Sequence, residues 1–316
     1  MAIFKDYLEN KSPLILHGAL GTEMESLGYD ISGKLWSAKY LLEKPEVIQK
    51  IHETYVAAGS DLITTSSYQA TLPGLVEAGL TEREAEQVIA LTVHLAKAAR
   101  DKVWAALDES EKAKRPCPLI SGDVGPYAAY LANGSEYTGD YGQITIEALK
   151  EFHRPRIQIL LDHGVDLLAL ETIPNHLEAQ ALIELLAEEF PEAEAYISFT
   201  IQEPGTISDG TSLDEIAQLV GQSDQILALG INCSSPLLYN QALTVLKNAG
   251  KALITYPNSG EVYDGSTQTW KPKDKDALTL VEHSKDWHAQ FGVKILGGCC
   301  RTRPNDIKAL YAEFRT

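Results

Sequence analysis

The chain has 316 residues, 44% of them hydrophobic, and a formal net charge of −17. That acidity argues against nucleic acids and anionic membrane surfaces, which need basic patches, and four cysteines in this length do not make a disulfide framework. Met1 to Asn10 carries Lys5, Asp6 and Glu9 without the apolar segment of a signal peptide, and no run nears the roughly 20 apolar residues of a membrane span. The expectation is a cytoplasmic globular protein.

The elements alternate, strand then helix. Pro13 to Leu16 is the first apolar run, followed by His17-Gly-Ala-Leu-Gly-Thr22. Pro45 to Ala58 has the apolar spacing of a helix (Val47, Ile48, Ile51, Tyr55, Val56), and Gly59 closes it. Asp61 to Thr65 is the second strand, ending before Ser66, Ser67 and Tyr68. Thr81 to Val103 is a long amphipathic helix that opens on a capping box, Thr81 with Glu84. After the charged excursion from Asp108 to Pro116 come a third strand, Leu119 to Ser121, and a long loop from Gly122 to Gly142. Ile144 to His163 is helical despite Pro155.

Val165 to Leu170 is the fourth strand, ending before Glu171 and Thr172. The helix Leu177 to Phe190, the strand Ala195 to Ile201 and the helix Leu213 to Val220 follow. The sixth strand starts at Ile226 and ends at Asn232 and Cys233. The helix Leu237 to Ala249, the strand Ala252 to Tyr256, a polar loop from Pro257 to Asp276 and the helix Leu278 to Phe291 come next. Val293 to Leu296 is the eighth strand, and Asp306 to Phe314 the last helix.

Eight strand–helix units without a linker predict one (β/α)8 TIM barrel, an α/β fold, spanning residues 1–316 as a single domain. The strands read as unbroken apolar runs, as strands covered on both faces do. A doubly wound open sheet is the rival. Gly18-Ala-Leu-Gly21 lacks the GxGxxG spacing of its phosphate loop, so the barrel is preferred.

Three of the four cysteines stand where strands end: Cys233 after Gly230-Ile-Asn, and Cys299 and Cys300 after Gly297-Gly. Both strands are even-numbered, so a barrel brings their tips together at the C-terminal face, where sites on this fold lie. Three thiolates suit a soft metal, zinc first, with a fourth position left open for an exchangeable ligand. Such a site is electron-rich; it suits activation of a substrate thiol better than polarisation of a carbonyl. The competing reading makes Cys299 and Cys300 small buried hydrophobes. Cys117 reads as structural or surface.

Gly230-Ile-Asn-Cys233 and Gly297-Gly-Cys-Cys300 are joined by Leu35-Trp-Ser-Ala-Lys39, Ser66-Ser-Tyr-Gln-Ala-Thr71, Ser121-Gly-Asp-Val-Gly-Pro-Tyr127, Glu171-Thr-Ile-Pro174, Ser208-Asp-Gly-Thr211 and Tyr256-Pro-Asn-Ser-Gly-Glu261. With these segments the chain resembles, end to end, the homocysteine S-methyltransferases, relatives of betaine-homocysteine methyltransferase and of the homocysteine module of methionine synthase. The resemblance is closest to the branch that uses S-methylmethionine.

It implies methyl transfer from S-methylmethionine, with S-adenosylmethionine as a weaker donor, to homocysteine, a step of methionine biosynthesis. It implies Zn²⁺ on Cys233, Cys299 and Cys300, with the homocysteine sulfur in the fourth place, and Glu171 on the substrate's α-amino group. The Gly18 backbone and the turn at Tyr68 match regions that bind the amino-acid carboxylate. Asn232 either orients the site or caps the next turn. His17 stands where the family usually has an acidic residue, which removes one expected partner of the ammonium.

A sulfonium donor is a cation, and aromatic faces attract cations. Trp36, Tyr127, Tyr256 and Glu261 are therefore candidates for the donor pocket, with Tyr68, Tyr130 and Trp270 as further aromatic residues near the mouth. The alternatives are another acceptor such as a selenol, another donor such as betaine, a zinc-binding protein without turnover, or a barrel with inert cysteines.

Overall fold

The computed structural model describes residues 3–31, 36–260, 262–264, 269–271 and 278–315. Glu261 lies outside the described residues, and Trp36 and Trp270 are described by backbone alone.

Among the described residues the strands are β1 (Leu14–Ile15), β2 (Leu62–Thr64), β3 (Leu119–Val124), β4 (Leu167–Ile173), β5 (Ala195–Phe199), β6 (Ile226–Asn232), β7 (Ala252–Tyr256), β8 (Val262–Asp264), β9 (Thr269–Lys271) and β10 (Ile295–Leu296). Eight of them form one parallel sheet in the order β1-β10-β7-β6-β5-β4-β3-β2. A bridge from Leu16 to Leu62 shuts the ring. The result is the expected barrel. β8 and β9 pair with each other as an antiparallel hairpin within what the sequence presents as a polar loop.

Alternation along the strands sorts two cores. Leu62, Leu119, Leu167, Ala228 and Ile295 fill the barrel, while Ile63, Ile120, Leu168, Leu229 and Leu296 face the helices. The N-terminal helix Ile3–Leu8 plugs the bottom of the barrel. Phe4 is wholly buried among the strand starts, its N–H donates to Glu194 at 2.8 Å, and Tyr7 donates to the carbonyl of Cys117. Cys117 thus sits at the end opposite the other three cysteines.

The helix caps follow the sequence. Thr81 and Glu84 form a complete capping box at the start of Glu82–Ala106, and Gly59 ends Pro45–Ala58 at φ 111°. Three extents differ from expectation. β3 runs on to Val124, so Asp123 belongs to a strand, not to a loop. β4 runs on to Ile173 through a register shift between Leu170 and Ile173. The long loop after β3 folds into two short helices, Tyr127–Leu131 and Ser135–Thr138.

Candidate active site

β6 and β10 are the two neighbours of β7, and this places the cysteines. The Cys233 N–H donates to Tyr256 O, the last residue of β7, at 3.2 Å; the Cys299 N–H donates to Pro257 O at 2.7 Å; and Ser259 N–H donates to Cys300 O at 3.0 Å. One strand end therefore stitches both cysteine segments. The glycines allow the close approach. A Cβ on Gly230 would sit 1.7 Å from Ile254 O, and one on Gly298 would sit 2.4 Å from Thr302 Oγ1. Thr302 in turn donates to Cys299 O at 2.5 Å, closing the tight turn.

The three sulfurs converge. Cys233 and Cys300 Sγ are 3.4 Å apart, and all three Sγ atoms lie within 4.8 Å of one another. This is the sole cluster of potential metal ligands of its kind among the described residues. Hydrogen bonds from Cys233 and Cys299 hold the Cys300 thiol well below the ordinary range, while hydrogen bonding to Cys233 and Cys300 and burial push Cys299 up. A divalent ion that takes three thiolates displaces the remaining protons, and the donor set fits a soft ion.

Glu171 lies beyond Ala169 on the inward face of β4. The residue after it, Thr172, has φ 66°, a conformation that costs a β-branched residue energy and marks the bulge. Asn232 locks it: its Oδ1 accepts from Thr172 N–H at 3.1 Å and its Nδ2 donates to Thr172 Oγ1 at 2.8 Å. Both side-chain groups of Asn232 are thus spent on holding the bulge. Cys233 (φ 49°) and Arg301 (φ 67°) are also left-handed, so three of the four such non-glycine residues among those described flank the site.

Burial pushes the Glu171 carboxyl up to about 7, against the hydrogen bond it accepts from Tyr256 Oη at 3.0 Å. Tyr256 also bonds Ser198 Oγ, so its ring lies inside the barrel below the thiols and not in a loop over the mouth. Asp123, on the inward face of β3, shares a hydrogen bond with Glu171 and is raised well above the carboxylate range, first by burial and then by the Glu171 charge. In the sequence Asp123 stands only within the segment Ser121 to Tyr127 and receives no role; that Ser-Gly-Asp run was the available signal.

The remaining predicted residues divide. Tyr68 is held against Gly125, where a Cβ would meet its ring at 2.6 Å. Burial, then the charges of Glu136 and Cys233, raises its hydroxyl, which places it at the site. Gly18 packs on Tyr55 and Thr302, beneath the turn that carries Cys299.

His17 is half-buried; its Nδ1 meets Gly18 O, and its buried Nε2 has no hydrogen-bond partner. Burial lowers its pKa to about 4, so it brings no charge at neutral pH. Tyr127 does not reach the thiols by any recorded contact: its ring packs against Tyr130, Tyr141 and Phe152, and Tyr130 bonds Glu77. In their stead the short helix Ser135–Thr138 brings Tyr137 near the cysteines. Its hydroxyl is raised by burial and then by Cys233 and Cys300.

Comparison with known proteins agrees with this geometry. Residues 14–314 match the family described as Homocysteine S-methyltransferase. The chain is 45% identical over 305 residues to the homocysteine S-methyltransferase YbgG of Bacillus subtilis, covering 96% of this chain and 95% of that one. It is 40% identical over 311 residues to the selenocysteine methyltransferase of Astragalus bisulcatus, covering 94% and 91%. The crystal structure of the metallated form of the homocysteine methyltransferase MmuM from Escherichia coli superposes with a TM-score of 0.86 at 41% identity, covering 98% of this chain and 99% of that one. The chain is a TIM-barrel methyltransferase and belongs to the homocysteine S-methyltransferase family.

Proposed function

We propose that this enzyme transfers a methyl group from S-methylmethionine to the sulfur of homocysteine, yielding methionine from both, with Zn²⁺ on Cys233, Cys299 and Cys300. The observation that carries this reading is the convergence of three sulfurs within 4.8 Å beside a half-buried glutamate at the barrel mouth. Zinc supplies the homocysteine sulfur as a thiolate that remains nucleophilic at neutral pH.

The chain's own residues do the positioning. Glu171, steadied by Tyr256, takes the α-ammonium. The backbone at Gly18 and the turn at Tyr68 face the amino-acid carboxylate. Asn232 acts on substrate through the Thr172 bulge. Tyr137, whose hydroxyl feels the charges of Cys233 and Cys300, offers an aromatic face to the sulfonium. Trp36 and Glu261 stay donor-side candidates on their sequence segments. The whole chain acts as one barrel domain, in a reducing cytoplasm that leaves its thiols free.

The selenocysteine methyltransferase among the relatives favours a second acceptor, a selenol, which a soft metal site accepts as readily as a thiol. The test is metal analysis with a panel of S-methylmethionine, S-adenosylmethionine and betaine against homocysteine and selenocysteine. The expected result is one zinc per chain, fastest turnover with S-methylmethionine, and loss of both metal and activity in Cys233→Ser. Full turnover by metal-stripped protein overturns the reading.

A further inference from the structure

We propose that Asp123 is a second carboxylate of the pocket for the substrate's ammonium, receiving it together with Glu171. This inference rests on the homocysteine reading above and deepens it.

β3 and β4 pair with Asp123 opposite Ala169, so Asp123 and Glu171 project from adjacent strands into the same interior. Asp123 is 4% exposed, and its Oδ1 has no hydrogen-bond partner. Arg156, the cation that acts on Asp123, makes no hydrogen bond to the spare Oδ1: its Nη atoms go to the carbonyls of Ser67, Tyr68 and Gly125 and to His153 Nδ1, and its Nε is left without a partner. The backbone around Asp123 is fixed, its N–H on Thr65 Oγ1 at 2.9 Å and its carbonyl on Ser67 Oγ at 2.7 Å. A rigid, buried acceptor without a donor is costly unless something supplies one.

Burial raises both carboxyls, and the Glu171 charge raises Asp123 further. A primary ammonium has three N–H donors. It can satisfy both carboxylates, including the spare Oδ1. His17, neutral at pH 7, does not compete for the pair.

The experiment is calorimetric titration of the zinc-loaded enzyme with homocysteine and with 4-mercaptobutanoate, the same thiol acid without its amino group. Wild type is expected to prefer homocysteine strongly. Asp123→Asn, which keeps a hydrogen-bond donor for Glu171, is expected to lose about 10–100-fold in homocysteine affinity, the scale of one charge-assisted hydrogen bond. Its affinity for the amino-free thiol and its zinc content should stay within about threefold of wild type. Asp123→Ala provides the same comparison should the amide fold poorly. Unchanged preference for homocysteine in the variants, or equal loss of both thiols, overturns the role of Asp123 and leaves the methyltransferase reading intact. Wild type that binds neither thiol overturns both.

Discussion

At Glu171 the charge state is decided by burial against hydrogen bonding to Tyr256 and Asp123, and burial wins: the carboxyl sits near 7, where an exposed glutamate sits near 4.5. Only the carboxylate form attracts an ammonium. Homocysteine affinity should therefore fall as pH drops through about 7, approaching tenfold per unit below it, while an analogue without the amino group lacks this dependence. Parallel pH profiles of KM for the two thiols check it; superimposable profiles remove Glu171 from the ammonium site. Cys233, Cys299, Cys300 and Glu171 were legible as strand-end residues because polar side chains interrupt apolar runs there. The environment of Asp123 was not, since an unpartnered oxygen is a property of its neighbours and not of its own segment.

Scale changes the lesson at the level of elements. The strand ends could be read from apolar runs, but the bulge in β4 could not, because nothing in Leu-Glu-Thr-Ile announces a left-handed Thr172. It is imposed by Asn232, 60 residues away. Asn232 lies in the segment that shows the family, yet the hydrogen bonds recorded for its side chain, apart from any with substrate, go to Thr172. Asn232→Leu removes both of these bonds and leaves a buried N–H without an acceptor, a loss of about 2–3 kcal/mol. With the lock gone, Thr172 relaxes toward an extended conformation and Glu171 swings from its aim. The expected outcome is a lower urea midpoint together with a raised KM for homocysteine, at unchanged zinc stoichiometry, since the cysteines hang from β7 and not from β4. Loss of metal in this variant would show that the bulge supports the thiols as well. The short helices after β3 escaped sequence reading for a related reason: at four or five residues they carry no periodicity.

Over the whole molecule, eight alternating units were enough to expect a closed barrel, and no helix among the described residues is long and apolar enough to cross a membrane. How the ring closes depends on contacts at the greatest sequence separation, which local patterns do not reveal. β1 has two residues, and its seam with β2 rests on the Leu16–Leu62 bridge and on Asp61. Asp61 is wholly buried. It accepts from Ile15 N–H at 2.8 Å and from Arg315 Nη2 at 2.6 Å, and Arg315 also holds Pro13 O. The last helix thus pins the first strand. Burial nonetheless raises the Asp61 pKa to about 6, outweighing the pull of Arg315. Arg315→Ala leaves a carboxylate buried without its nearest cation and should cost about 3 kcal/mol or more at pH 8. The sign with pH follows from the shift. The folded pKa lies above the unfolded value and rises further once Arg315 is gone, so protonation relieves the variant as pH falls toward 5.5. Denaturation of wild type and variant at both pH values measures this directly. A deficit that shrinks at the lower pH supports the seam; one that stays constant or grows shows that Arg315 acts through the Pro13 carbonyl and packing, with the charge of Asp61 immaterial.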